Sequence, residues 1–564
     1  VPIKSLLSAC EVCSLKNSCQ SPKIDPYGEG GRRILIIGEA PGKQEDAQGI
    51  PFVGLSGRKL KKNLRAAGID LDRDCVRTNI VQCFPGNSSV NFDQARKCWE
   101  RLEKQIEEAN PDLIIALGGK SVSFLLDELC GYSAGGINIS SLRGQIIPVR
   151  KLDCWMLCEF HPAYLLRQED PVLDRLMVRD FGEAVGRMKE PLPELLDPKG
   201  FEIIELVGRA ETVFDGLISM GSKVSFDYET TALSPFVAGA DILGVGFANN
   251  PNGGYFLPLL LGKWSKGDYK EIERLWRGFL SSGLEFVAQH QMFERIWSVE
   301  KFGVNPNIEL DTILLAHIKD ERRGIKGLGF QVFSNYGDIY KGRMDRKAIV
   351  SETLESVAEY CCLDARYTLR LAGDYLSGMD VEDIKAYGVF QNSVPVLAEM
   401  TANGVKIDLD VMSRISDEVQ GKKDSLEKRL KDSPIVKPFT KRGKQFNPAS
   451  SPNISELLYK IHGLVPVRKT AKGEPSAATP ALNQHLLDRD LDKGMREFIE
   501  LILQYKKMSK MESTYTDSFI KAADQDGILH PNFLLHTTET YRSSSTEPNI
   551  QQVPRRDDEL SFDR

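Results

Sequence analysis

Cysteine almost disappears from the later part of this 564-residue chain. Nine of eleven lie at or before Cys158, and the others are the adjacent pair Cys361 and Cys362. That distribution excludes a disulfide framework running through the protein, and it concentrates candidate metal or iron–sulfur ligands near the N-terminus. Long apolar runs are missing too: none reaches the roughly 18–20 residues needed to span a bilayer, and no signal peptide opens the sequence. These absences predict an intracellular, cytoplasmic protein with no membrane attachment. Excess positive charge is also lacking, with 73 Lys and Arg against 79 Asp and Glu and a formal net charge of −6. A uniformly basic nucleic-acid binder is excluded. Residues 421–472 depart from that average, carrying 13 Lys/Arg against 4 Asp/Glu, as expected if only some faces meet phosphate. The length predicts three or four domains, each burying its own core.

In the first 190 residues, short apolar runs end in small or polar residues: ILIIGEA (34–40), RTNIVQC (77–83), DLIIALGG (112–119) and CWMLCEFHP (154–162). Helical stretches such as 92–109 lie between them. This alternation predicts a doubly wound α/β domain with a mostly parallel sheet. Ligands bind such sheets beyond the carboxyl ends of the strands, where Glu39, Asn79 and His161 all fall. GGKS (118–121) imitates the end of a phosphate-binding loop, but Ile114 occupies the place of its first glycine, which argues against a nucleotide-triphosphate loop.

GEAPGKQED (38–46), IPFVGLSG (50–57), TNIVQC (78–83) and HPAYLLR (161–167) together resemble the type 4, iron–sulfur uracil-DNA glycosylases. The resemblance implies a [4Fe–4S] cluster on Cys10, Cys13, Cys83 and Cys98. Cys19 is read as structural, with substitution for a ligand left open. It also implies base removal from a flipped or single-stranded nucleotide. Phe52 would stack on the uracil, and the Asn79 amide would both donate and accept at its edge. His161 would stabilise charge developing on the departing base. Glu39 would position water or stabilise the sugar cation; Ala40 stands where the related type 1 enzymes place an aspartate. FPGNSSV (84–90) departs from the more basic turn usual in the family, which leaves a non-catalytic DNA-binding module as an alternative.

MKEPLPELLDPKG (188–200) reads as an interdomain linker, centred on 191–200. In FDYET (226–230), Asp227 and Glu229 are two apart on a strand and share a face. Tyr360 and Asp364, in YCCLD, are four apart on a helix and also share a face. Such carboxylates suit two divalent cations straddling a phosphodiester. Residues 201–378 resemble the 3′–5′ exonuclease of family A DNA polymerases, a ribonuclease-H-like fold. The resemblance implies Mg²⁺ or Mn²⁺ on Asp227, Glu229, Glu294 and Asp364, with Tyr360 orienting water. Glu294 stands where Asp is common and His290 where Asn is common; Asp311 is a second-choice ligand.

From ANGVKID (402–408) the pattern is helical and takes in the basic stretch 421–472, and residues 379–564 resemble the family A thumb followed by the start of the palm at HTTETYRSSSTEPNIQQVPRR (536–556). Lys506, Lys507, Lys510, Arg542, Asn549 and Gln551 are the implied DNA contacts. The palm aspartates and fingers do not follow, so a C-terminal continuation or a second polypeptide is expected to carry them. The expected whole is a mixed α/β multidomain protein, resembling a bacteriophage-type family A DNA polymerase with a glycosylase domain, acting on single-stranded and primer–template DNA, in host cytoplasm if phage-encoded. The rivals are a stand-alone repair protein that excises uracil and trims 3′ ends, and a DNA-binding subunit.

Overall fold

The computed structural model describes residues 13–86, 88–133, 136–342, 346–470 and 473–553. They fall into two compact units, one of residues 1–233 and 241–392, the other of 234–240 and 393–564.

The first unit holds two sheets. Strands β1 (Ile34–Gly38), β2 (Cys75–Asn79), β3 (Leu113–Leu117), β4 (Ile146–Val149) and β5 (Cys154–Glu159) assemble in the order β2-β1-β3-β5-β4. All pairs are parallel except β4 with β5. β1, β3 and β5 are buried along their whole length, as a sheet covered on both faces requires. The sequence pattern predicted four of these strands; β4 is the addition, an antiparallel edge. The register places Gly38 beside Asn79 and Leu117 beside Glu159. Residues just beyond these ends therefore converge.

The second sheet comprises β6 (Phe201–Ile203), β7 (Val224–Thr230), β8 (Ile242–Asn250), β9 (Gly253–Pro258), β10 (Phe286–Ala288) and β11 (Ile308–Asp311), ordered β11-β10-β7-β8-β9-β6. β7 alternates as a strand must. Val224, Phe226 and Tyr228 enter a core with Trp276 and Phe286, while Asp227 and Glu229 take the other face. The helix Leu354–Ser377 lies against β8 at Gly246, where a β-carbon would stand 2.6 Å from the Cys361 backbone. Glycine there lets the helix approach closely enough to bring its polar face to β7.

The two sheets also share packing. The helix Leu328–Tyr336 lies on β4, and Ile325, Phe330 and Phe333 join the hydrophobic cluster containing Ile147 and Val149. The rings of Tyr132 and Phe333 stack at 3.9 Å and 4°. Arg150 Nε donates to the Tyr336 carbonyl at 3.0 Å. Residues 188–200 are thus not the sole junction between the two sheets.

The second unit is mainly helical. Helices Leu409–Asp432 and Lys493–Met511 pack along each other, and two short antiparallel strand pairs accompany them, Val405–Lys406 with Ile528–Leu529 and Asn532–Leu534 with Ser544–Thr546. No helix among the described residues is long and apolar enough to cross a membrane.

Candidate active sites

The carboxyl edge of the first sheet gathers Glu39, Phe52, Asn79 and His161. Phe52 sits at φ +58°, a strained value for a residue with a side chain. Its backbone is pinned from both sides: a β-carbon on Gly57 would stand 1.8 Å from its carbonyl oxygen, and Arg77 Nε donates to the Pro51 carbonyl at 3.0 Å. The conformation turns the ring toward Gly38 and Asn79; a β-carbon at Gly38 would meet Phe52 Cζ and Asn79 Oδ1 each at 2.6 Å. The His161 ring stacks on Phe52 with centroids 6.3 Å apart.

His161 caps the helix Pro162–Gln168, its Nδ1 accepting from the Ala163 N–H at 3.2 Å. A nitrogen that accepts carries no proton, so the neutral ring holds its hydrogen on Nε2. Burial, the largest influence, holds its pKa below the usual histidine range. The site therefore presents a neutral imidazole donor beside an aromatic face and an amide. Glu39 is paired with Lys120 at 3.0 Å, and Lys120 also bonds Ser89 and the Val90 carbonyl, the latter at 2.6 Å. Lys120 belongs to the GGKS sequence set aside as a phosphate loop. Its position just past β3 was the available signal that it joins this site.

Cys13, Cys83 and Cys98 are buried in one hydrophobic cluster, with Cys19 packed against it. Cys98 lies on the inner face of the helix Phe92–Ala109 with Ala95 and Leu102. Asp46 accepts from the Gln20 and Ser21 N–H groups at 3.0 and 2.8 Å, fastening the N-terminal segment to the helix Lys43–Gln48. The Lys23 N–H donates to Cys83 Sγ at 3.2 Å. Burial raises the Cys83 thiol to about 11, with Cys19 and Cys98 adding to the rise. Three buried sulfurs from separate segments, one receiving a backbone N–H, fit a thiolate-held cluster. Cys10 lies outside the described residues.

In the second sheet, Asp227 and Glu229 on β7 stand with Cys361 such that one ligand atom from each lies within 4.8 Å of the others. Cys361 is held in place: its Sγ accepts from the Gly246 N–H and donates to the Asp227 carbonyl, both at 3.1 Å. Glu294, 1% exposed, has an Oε2 with no hydrogen-bond partner among the described residues. Burial first, and the charge of Asp227 next, raise its pKa well above the usual carboxyl range. Asp227, Glu229, Glu294 and Asp364 line one cavity of about 710 Å³. Buried like charges with an unused acceptor fit a divalent-cation site, since a cation removes both penalties.

Asp364 reaches this cavity from the helix Leu354–Ser377, whereas Tyr360, one turn earlier, lines a separate cavity of about 280 Å³ and is joined to Asp364 through Lys341. Asp311 does not share their role. Its carboxylate accepts the N–H groups of His290, Gln291 and Ile313 at 2.8, 3.0 and 3.1 Å, and so shapes the turn that delivers Glu294. Burial raises it to about 6. His290 is half-buried at φ +68°, and desolvation of its ring holds its pKa down to about 4.

In the second unit, Lys507 and Lys510 are exposed on Lys493–Met511 and Lys506 is half-buried, while the inner side of the helix buries Ile502, Tyr505 and Met508. Arg542 and Gln551 are exposed on the segment that follows. Gln551 Nε2 donates to Ser543 at 3.0 Å, and Asn549 Oδ1 accepts the Gln551 N–H at 3.1 Å. In the basic stretch, Lys423 pairs with Glu512 and Lys444 with Glu456, so part of its charge is locally answered.

The described residues thus hold a doubly wound domain that presents an aromatic ring, an amide and an imidazole, a second sheet with an acid-lined cavity, and a mainly helical unit with exposed lysines. The sequence pattern of the Uracil DNA glycosylase superfamily matches residues 26–181, and that of DNA polymerase family A matches residues 411–562. The type-4 uracil-DNA glycosylase of Thermotoga maritima is 35% identical over 196 residues, 33% of this chain and 94% of that protein. The DNA polymerase of Bacillus phage SP01 is 24% identical over 614 residues, 94% of this chain. DNA polymerase I of Pseudomonas aeruginosa is 27% identical over 351 residues, 59% of this chain and 36% of its own length. The chain spans 64% of the length of the phage polymerase. Its N-terminal part belongs to the type-4 uracil-DNA glycosylase family, fused to a family A DNA polymerase domain.

Proposed function

We propose that this chain removes uracil from DNA with its N-terminal domain, trims 3′ ends with residues 201–378, and holds primer–template DNA with residues 379–564, as part of a replication and repair polymerase acting in the cytoplasm. The observation that carries the exonuclease reading is the group of carboxylates around one cavity, with a buried Glu294 oxygen that has no hydrogen-bond partner among the described residues, because a bound cation would offset the cost of both.

At the glycosylase site, Phe52 offers a face for the flipped base and Asn79 reads its polar edge. His161 Nε2–H donates to the oxygen on which charge collects as the glycosidic bond breaks, and needs no proton from solvent to do so. Lys120, paired with Glu39, would turn that carboxylate toward the sugar. Cys10, Cys13, Cys83 and Cys98 would hold an iron–sulfur cluster, tying the N-terminal segment to the sheet and helix.

At the exonuclease site, Asp227, Glu229, Glu294 and Asp364 would hold Mg²⁺ or Mn²⁺. When bound, the cations would polarise the scissile phosphate and stabilise the leaving oxygen. Tyr360 would orient the attacking water, and the cavity walls would seat the terminal nucleotide.

A single substrate tests both readings: a uracil-containing primer–template with a 3′ mismatch, incubated with and without Mg²⁺. Base loss should persist in EDTA, and end trimming should require the metal. Asp227→Ala/Glu229→Ala should abolish trimming and spare base loss. Alkali-stable uracil strands after incubation would refute the glycosylase reading, and untrimmed ends in Mg²⁺ the exonuclease reading.

A further inference from the structure

Asp364 differs from the other acidic groups of its cavity. Both its oxygens accept from one short turn, Tyr340–Gly342: Tyr340 Oη donates to Oδ1 and Lys341 Nζ to Oδ2. The same ammonium donates to Tyr360 Oη at 2.9 Å. It also lies 4.6 Å from the centre of the Tyr360 ring and 5.5 Å from that of Tyr340. Its aliphatic stem passes residue 329, where a β-carbon would stand 3.0 Å from Lys341 Cγ; glycine there keeps the approach open. Lys341 reaches the cavity with its side chain 23% exposed, against 4% for Asp364, so solvent screens the pair only partly.

An ammonium can only donate, so the Tyr360 oxygen must accept from Lys341, and the phenolic hydrogen is turned toward another acceptor. A fixed positive charge on Asp364 also takes up negative charge that an incoming divalent cation would share. Resting on the exonuclease reading above, we propose that Lys341 is a positioning residue that orients the Tyr360 hydroxyl and competes with a divalent cation for Asp364.

The test uses the full chain, with Lys341→Met, Lys341→Gln and Lys341→Arg. Mn²⁺ binding is followed by electron paramagnetic resonance, 3′-end trimming by Mg²⁺ titration, and folding by circular dichroism. Either neutral variant that folds should bind Mn²⁺ about tenfold more tightly, because one opposing charge has gone. Its turnover at saturating Mg²⁺ should fall about tenfold or more. Lys341→Arg should return the cation affinity to the wild-type value and restore part of the turnover. A lysine that merely supports the fold would leave Mn²⁺ affinity unchanged or weaker in the neutral variants, and either result overturns the proposal. Undiminished turnover overturns the Tyr360 role. Wild-type protein that binds Mn²⁺ but trims nothing would sink the exonuclease reading, and the Mn²⁺ titration alone would then decide the competition for Asp364.

Discussion

Replacing Glu294 by glutamine should make the metal-free protein more stable while removing its 3′-end trimming. Glu294 is 1% exposed, its Oε2 has no hydrogen-bond partner among the described residues, and after burial the charge of Asp227 does most to raise its pKa. An unsatisfied buried polar group costs about 1–3 kcal/mol. The glutamine amide removes the charge and supplies N–H donors to carboxylates that can accept them, so the gain should lie in that range. For domains of 150–250 residues, each kcal/mol moves the melting midpoint by about 2–4 °C. The pH dependence fixes the sign. The folded pKa is raised above the ordinary 4.5, so the native state holds this proton after the unfolded chain has released it. Stability contributed by the proton is complete below about 4.5 and is lost as pH rises. The advantage of Glu294→Gln should therefore be largest near pH 8 and shrink toward pH 4.5. Adding Mg²⁺ at about 100 times its Kd should stabilise wild type by about 2.7 kcal/mol and close the gap. Scanning calorimetry in EDTA and in Mg²⁺, at both pH values, reads all of this. A Glu294→Gln protein less stable than wild type in EDTA at pH 8 would refute the argument, because Glu294 would then be a satisfied structural carboxylate.

His161→Ala and Asn79→Ala should each lower uracil excision about 100-fold or more, the usual cost of losing one preorganised donor, and wild-type excision should resist EDTA. Because burial depresses the His161 pKa, excision should hold below pH 6.5 and fail only as pH drops through the lowered value, whereas folding starts to weaken at about 6.5; a pH–rate profile that breaks at or above 6.5 would contradict the neutral imidazole. Protein purified anaerobically should contain iron and acid-labile sulfide, and Cys83→Ser or Cys98→Ser should lose both; zinc in their place would refute the cluster assignment. Primer–template binding should weaken steeply with salt, and Lys506→Ala/Lys510→Ala should reduce the slope of log K against log salt by about 2, as measured by fluorescence anisotropy. An unchanged slope would remove these lysines from the interface.

Patterns that repeat within a short window were legible in the chain. The apolar runs announced β1, β2, β3 and β5, because a strand buried on both faces is almost continuously hydrophobic. FDYET placed two carboxylates on one face, because side chains alternate along a strand. The glycosylase and polymerase domains were recognisable because their motifs are local. β4 was not legible: it is a four-residue antiparallel edge, and its partner is chosen by packing.

Only tertiary structure decided the roles of residues whose partners are remote in sequence. Asp311 and Glu294 look alike as buried carboxylates, but three backbone N–H groups occupy the first, whereas Oε2 of the second has no hydrogen-bond partner among the described residues. GGKS lacked the spacing of a phosphate loop, yet the end of β3 sets Lys120 on Glu39, 81 positions earlier. Lys341 bears no motif at all; a short turn folded over Gly329 brings it to Tyr360 and Asp364. The sequence by itself determined which chemical groups the chain owns and the faces on which they stand. Which carboxylate is satisfied, which histidine nitrogen carries the proton and which lysine meets which acid followed from long-range packing, because each depends on a partner that no local window contains.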